Sequence, residues 1–164
     1  MKIYLDMDGV IANFFQEAAR ISDTPGVGWR DMEFRDVERA LKRIRKTPGF
    51  FLNLPAFPMA NTLVQSIVNI AGECRVLSSP LSDYDHCDVE KVEWLKNNIH
   101  YDLDEVIITD DKPQYAEGNI LIDDYGINCK KWEEAGGYAI KYQADEQHIS
   151  DVLISLQSLC KKQN

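Results

Sequence analysis

Asp6 and Asp8 stand two residues apart at the end of an apolar run, in MKIYLDMDGVIANFF, and Gly9 follows at once. If Lys2 to Leu5 forms a strand, alternation sends both carboxylates to one side while Met7 points into packing. Two carboxylates in one small space repel and raise each other's pKa, unless a cation sits between them or one carboxyl keeps its proton. The same residues suit a solvated Asp-x-Asp-Gly turn, because Asp and Gly are common turn formers. The apolar run leading straight into the pair favours a metal or catalytic site.

Three more polar groups follow short apolar runs: Ser78-Ser79 after CRVL, Asp110-Asp111-Lys112 after DEVIIT, and Asp123-Asp124 after NILI. Carboxylates with no His or Cys beside them suit a hard cation, Mg²⁺ before Zn²⁺. Hydroxyls and lysines supply donors to an anion with several acceptor oxygens, which describes phosphate. A carboxylate can attack phosphorus to form an acyl phosphate that water later opens. A second carboxyl two residues on can protonate the leaving alcohol and then activate that water.

The elements that must position these groups alternate. Strands are predicted at Lys2 to Leu5, Cys74 to Leu77, Asp104 to Thr109, Asn119 to Ile122 and Tyr138 to Lys141. Helices are predicted at Ala12 to Ile21, Arg30 to Lys46, Met59 to Ala71, Val89 to Asn97 and about Asp145 to Cys160. No element is assigned between Asp124 and Gly136. Strands separated by helices imply an α/β fold: a Rossmann-like three-layer sandwich around a mainly parallel five-stranded sheet. In such sheets ligands bind beyond the carboxyl ends of the strands, where all four polar groups fall. Pro48-Gly49 and the FFLNLPAFP return then mark residues 15–57 as a small helical cap inserted after the first strand.

The 164 residues, 45% hydrophobic, suffice for one domain over 1–164. No apolar run approaches the roughly 18 residues of a membrane span, and Lys2 with Asp6 spoils a signal-peptide reading, so a cytoplasmic protein without a membrane partner is expected. A net charge of −9 opposes binding of a nucleic-acid polymer. The four cysteines show no CxxC pair and read as reduced thiols. Gly26-Val27-Gly28, in the loop from Ser22 to Gly28, lacks the third glycine and the preceding strand of a dinucleotide fingerprint. SDYDHCD, with Asp83, Asp85, His86, Cys87 and Asp88, reads as a surface loop, since adjacent spacing points ligands to opposite sides. The charges between Arg30 and Lys46 read mostly as a solvated face stitched by i,i+4 pairs.

The motifs resemble those of the haloacid dehalogenase superfamily in its phosphatase branch, with Asp6-Met7-Asp8-Gly9-Val10 similar to its first motif, Ser78 to its second, a lysine to its third and Asp123-Asp124 to its fourth. More narrowly, DMDGVIANF, FFLNLPAFP, LSSP, EKVEWL, the DK of TDDK and LIDD resemble the 5′(3′)-deoxyribonucleotidases. The resemblance implies Mg²⁺ as cofactor, Asp6 as nucleophile and metal ligand, and Asp8 as general acid and base whose backbone carbonyl also meets the metal. It implies that Asp124, assisted by Asp123, completes the metal shell. Ser78, Ser79, Lys91 and Lys112 would hold phosphate. Phe14, Phe15 and Trp29 become candidates for stacking on a base. Those nucleotidases carry a tryptophan in the second cap helix where this chain has Arg45, which would stack on a base or hold a second anion. The implied substrate is a small phosphomonoester, a nucleoside monophosphate, with a sugar phosphate as the alternative and a silent binding module as a third reading; a homodimer is the implied assembly.

Overall fold

A computed structural model describes residues 1–24 and 27–162; Pro25 and Gly26 of the predicted Ser22 to Gly28 loop lie outside the described residues. In chain order the elements are β1 (Ile3–Leu5), α1 (Phe14–Ser22), a 3₁₀ turn (Trp29–Asp31), α2 (Phe34–Ile44), α3 (Ala60–Ala71), β2 (Arg75–Ser78) and α4 (Cys87–Asn98). Then follow β3 (Glu105–Ile108), a second 3₁₀ turn (Lys112–Tyr115), β4 (Ile120–Asp123), α5 (Gly126–Glu134), β5 (Tyr138–Lys141) and α6 (Ile149–Lys162). The strands run in the order β3-β2-β1-β4-β5, and every adjacent pair is parallel. The order reverses direction at β1, so the Asp6 loop occupies the switch point of the sheet.

Alternation along the strands divides the core in two. Ile3, Leu5, Val76, Ile120, Ile122 and Ile140 face a large cluster with Leu63, Val64 and Ile67 of α3, Trp94 of α4, and Val152 and Leu156 of α6. Tyr4, Leu77 and Leu121 face the other way onto Trp132 of α5 and Ala116. Both faces of the sheet are therefore covered, which explains why its strands are continuous apolar runs. Helix α5, to which the sequence reading assigned no element, buries only Cys129 and Trp132. Its other apolar residue, Ile127, is exposed and the rest are polar, charged or glycine, so its apolar stripe is too narrow to announce a helix.

The predicted helix from Arg30 to Lys46 is two elements, with Met32 and Glu33 extended between them. Only from Val37 onward does an apolar period exist, through Ala40, Leu41 and Ile44, and α2 is the part that carries it. Helices α1 and α2 pack on each other, and the chain returns to the sheet through residues 45–59. That return is anchored by Glu90, whose carboxylate accepts from the backbone N–H of Gly49 at 2.7 Å and of Phe51 at 3.0 Å, and from the Tyr84 hydroxyl at 2.7 Å. Trp94 Nε1 adds a hydrogen bond to the Leu54 carbonyl at 2.7 Å. Two neighbouring turns of α4 thus hold residues 49–54. All four cysteines are free thiols, and among the described residues no helix is long and apolar enough to cross a membrane.

Candidate active site

The loop after β1 turns sharply because the Met7 carbonyl accepts from the N–H groups of Val10, Ile11 and Ala12. Met7 is fully buried, as alternation required, and leaves Asp6 and Asp8 on the open side. Gly9 sits at φ +77°, and a Cβ there would lie 2.6 Å from the Phe15 ring and 2.7 Å from the Asp124 carboxyl carbon. Glycine is required twice over, by backbone conformation and by space.

Asp6 is bonded through its N–H to the Ile122 carbonyl at 2.8 Å, which sets it beside the end of β4. Among the described residues, carboxylate oxygens of Asp6, Asp123 and Asp124 lie within 4.8 Å of one another. Lys112 is 3% exposed and reaches Asp123 Oδ2 at 2.7 Å and Asp6 Oδ1 at 2.9 Å. Burial alone would lower the Lys112 pKa, but Asp6 and Asp123 raise it above the ordinary lysine value. Asp123 is saturated, since Tyr125 N–H donates to it at 2.8 Å and Asn128 Nδ2 at 3.1 Å. Its place is to orient Lys112 and the loop, while Asp6 and Asp124 keep oxygens available.

Lys91, 1% exposed, forms a second centre. Its Nζ donates to Asp8 Oδ2 at 2.7 Å, Ser78 Oγ at 2.9 Å and the Ser79 carbonyl at 2.7 Å. The two lysines left open by the sequence therefore both line the site, one on each carboxylate of the first loop. Ser78 arrives with its hydroxyl inward, whereas Ser79 contributes its carbonyl to Lys91. Asp8 stands apart from the close carboxylate set, and its Oδ2 pairs with Lys91; the metal role that the resemblance implies for it belongs to its backbone carbonyl. Burial pushes the Asp8 carboxyl above the ordinary aspartate range, with Lys91 opposing and Asp6 adding to the rise. A carboxyl so placed is suited to carry a proton.

Of the candidates in the inserted segment, Phe14 packs against Phe15, Trp29, Phe50 and Phe51 with ring centroids 5.4–6.1 Å apart, and Trp29 meets the site through that aromatic stack. Arg45 caps the C-terminus of α2 and donates Nε to the Ser82 carbonyl at 2.8 Å, which ties it to the loop beyond Ser79 rather than to the carboxylates. Two residues escaped the sequence reading. Glu90 anchors the return, and Arg30 lies 3.8 Å from Asp124. Neither had a sufficient local signal, because the backbone that Glu90 anchors lies 39 or more residues away and the carboxylate that Arg30 grips lies 115 away.

The donor set fits a hard divalent cation. Asp8 Oδ1 is buried with no hydrogen-bond partner, and burial with the charges of Asp6 and Asp123 pushes Asp124 up to about 8. Buried, mutually repelling carboxylate oxygens are what Mg²⁺ or Ca²⁺ coordination relieves. The Asp124 pKa has a consequence for stability. Below its ordinary value of 3.8 this carboxyl is protonated folded or unfolded; between there and about 8 the folded state holds the proton more tightly, so stability falls as pH rises through that window. Chelator-treated protein is expected to show this contribution as a melting temperature falling toward pH 8, and saturating Mg²⁺ is expected to flatten the slope. An equal slope with and without Mg²⁺ would show that the cluster does not bind it.

The fold is shared with solved hydrolases. A hydrolase from Streptococcus pneumoniae superimposes with a TM-score of 0.60 at 14% identity, over 94% of this chain and 97% of that one. A HAD hydrolase from Bacillus subtilis, solved bound to magnesium, gives 0.58 at 12% over 94% and 97%. Sequence likeness is closer to a protein of Bordetella bronchiseptica provisionally named a 5′(3′)-deoxyribonucleotidase, 31% identical over 141 residues, covering 76% of this chain and 74% of that protein. The human 5′(3′)-deoxyribonucleotidase, cytosolic type, is 31% identical over 144 residues, covering 76% and 70%. The family model described as 5′ nucleotidase, deoxy (pyrimidine), cytosolic type C protein matches residues 1–156. With that match over nearly its whole length and the carboxylate and lysine centres at the strand ends, the chain belongs to the cytosolic type C deoxy-5′-nucleotidase family and is a phosphatase of the haloacid dehalogenase superfamily.

Proposed function

We propose that the protein is a Mg²⁺-dependent 5′(3′)-deoxyribonucleotidase of the cytoplasm that hydrolyses nucleoside monophosphates through an aspartyl-phosphate on Asp6. The observation that carries this reading is the pairing of two buried lysines with the two carboxylates of one loop, Lys112 with Asp6 and Lys91 with Asp8. Such pairs hold the carboxylates at fixed positions and present positive charge to an incoming phosphate dianion. Asp6, Asp124 and the Asp8 carbonyl would hold Mg²⁺, with Asp123 behind them. The cation would neutralise charge on the phosphate oxygens beside the carboxylates.

An Asp6 carboxylate oxygen attacks phosphorus, and the bond from phosphorus to the ester oxygen breaks. Asp8 gives its proton to the departing alkoxide, so the nucleoside leaves as a neutral alcohol. Asp8, now ionised, takes a proton from water as that water attacks phosphorus, which frees Asp6 and inorganic phosphate. Lys91 and Ser78 bind the phosphate oxygens, and the inserted segment, the cap over about residues 15–57, excludes bulk water during the acyl-phosphate stage. The preference for deoxynucleotides is supported by the human relative's name and the family description.

The test is phosphate release from a panel of ribo- and deoxyribonucleoside monophosphates and sugar phosphates with Mg²⁺, and EDTA as control. Deoxynucleotides are expected to lead and EDTA to abolish release. Sugar phosphates outpacing every nucleotide would keep the chemistry and overturn the substrate assignment.

A further inference from the structure

Arg30 belongs to the 3₁₀ turn of the inserted segment, yet its contacts lie mostly in the body of the protein. Its guanidinium grips Asp145 by two hydrogen bonds, Nη1 to Oδ2 at 2.7 Å and Nη2 to Oδ1 at 3.1 Å, and adds Glu146 Oε1 at 3.2 Å. It also lies 4.3 Å from the centre of the Phe15 ring, the ring that covers Gly9. The Arg30 side chain is only 28% exposed, so the fork is partly shielded from water. A two-bonded, partly buried arginine–carboxylate pair is among the stronger ionic contacts, unlike the i,i+3 pairs elsewhere on the surface.

The loop that carries Asp145 and Glu146 is itself fastened to the site. Tyr142 N–H donates to the Asp123 carbonyl at 3.0 Å, and Ala144 N–H donates to the Gly9 carbonyl at 3.0 Å. One short loop thus hangs from both aspartate loops by backbone bonds and presents two carboxylates to the inserted segment. We propose that Arg30 is a latch: a positioning residue that holds the cap closed over the carboxylate site by gripping Asp145 and Glu146. The latch couples cap closure to the two loops that hold Asp6, Asp8, Asp123 and Asp124. Its bearing on turnover rests on the phosphatase reading, whereas the latch itself does not.

The experiment is hydrogen–deuterium exchange on the full chain without substrate or added cation, comparing the parent with Arg30→Gln, with the pair Asp145→Asn/Glu146→Gln, and with the triple variant. Breaking the latch is expected to speed exchange of the α2 amides about ten-fold in each of the first two variants. The triple variant is expected to be no faster than Arg30→Gln alone, because the two carboxylate changes remove only partners that Arg30→Gln has already given up. Exchange in β1 and β4 is expected to stay at the parent rate. If Arg30→Gln fails to fold, the Asp145/Glu146 pair carries the test alone, with Arg30 in place. The proposal is overturned if α2 exchanges at the parent rate, if the effects add in the triple variant, or if strands and α2 accelerate together. Since no substrate enters, this result is separable from failure of the substrate panel.

Discussion

Asp6→Asn is expected to abolish phosphate release, with a loss on the order of 10⁴-fold or more, the scale seen when a nucleophile is removed from an otherwise intact site. An amide of the same shape cannot form the acyl phosphate, and neither Lys112, 2.7 Å from Asp123 Oδ2, nor Lys91, 2.7 Å from Asp8 Oδ2, stands in for the carboxylate that the amide replaces. The fold should survive the change. Asparagine keeps the side-chain volume, Lys112 keeps its 2.7 Å partner Asp123, and one negative charge leaves a cluster whose three carboxylates repel. A melting temperature within a few degrees of the parent in chelator corresponds to about 1 kcal/mol or less at this chain length. Substantial activity in a well-folded Asp6→Asn protein would remove Asp6 from the nucleophile role and with it the proposed mechanism.

The parts of the molecule that were legible in sequence are those whose signal is local. The runs IYL, RVL and ILID are buried on both faces of a parallel sheet, so they appear as continuous apolar segments, and the polar residues that end them fall at the strand termini by necessity. That is why Asp6, Ser78 and Asp123, with Lys112 after the DEVIIT run, are legible as one site in the sequence. Helix α5 was silent because two inward residues suffice to cover the thinner face of the sheet. Arg30 was read as one more charge in a mixed run, since nothing near it in sequence distinguishes it from Arg35 or Arg39. Its partner Asp145 lies 115 residues further on and becomes its neighbour only when β5 closes the sheet. Arg45 shows the opposite limit, a residue picked out by likeness whose Nε is taken by a backbone carbonyl.

Lys112→Met is expected to cause the largest loss of stability of any single change at the site. The ammonium group lies between Asp6 and Asp123, two carboxylates that are 6% and 0% exposed. Methionine fills much the same volume, so the loss is electrostatic rather than a cavity. Removing one partner of a buried ion pair leaves the other charge uncompensated, which costs about 3–5 kcal/mol. The Asp123 carboxyl, already pushed up to about 6 by burial and by Asp6 with Lys112 present, would lose its strongest opposing charge, so the destabilised variant should recover part of its stability as pH falls toward 5 and Asp123 protonates. Adding Asp123→Asn should recover part of it at pH 7, since the second change removes the charge that the first left unpaired. Urea unfolding of the parent, the single variant and the double variant, in EDTA, measures all three quantities. A cost below about 1 kcal/mol for Lys112→Met would mean that water or a cation, rather than this lysine, neutralises Asp6 and Asp123 in the folded protein.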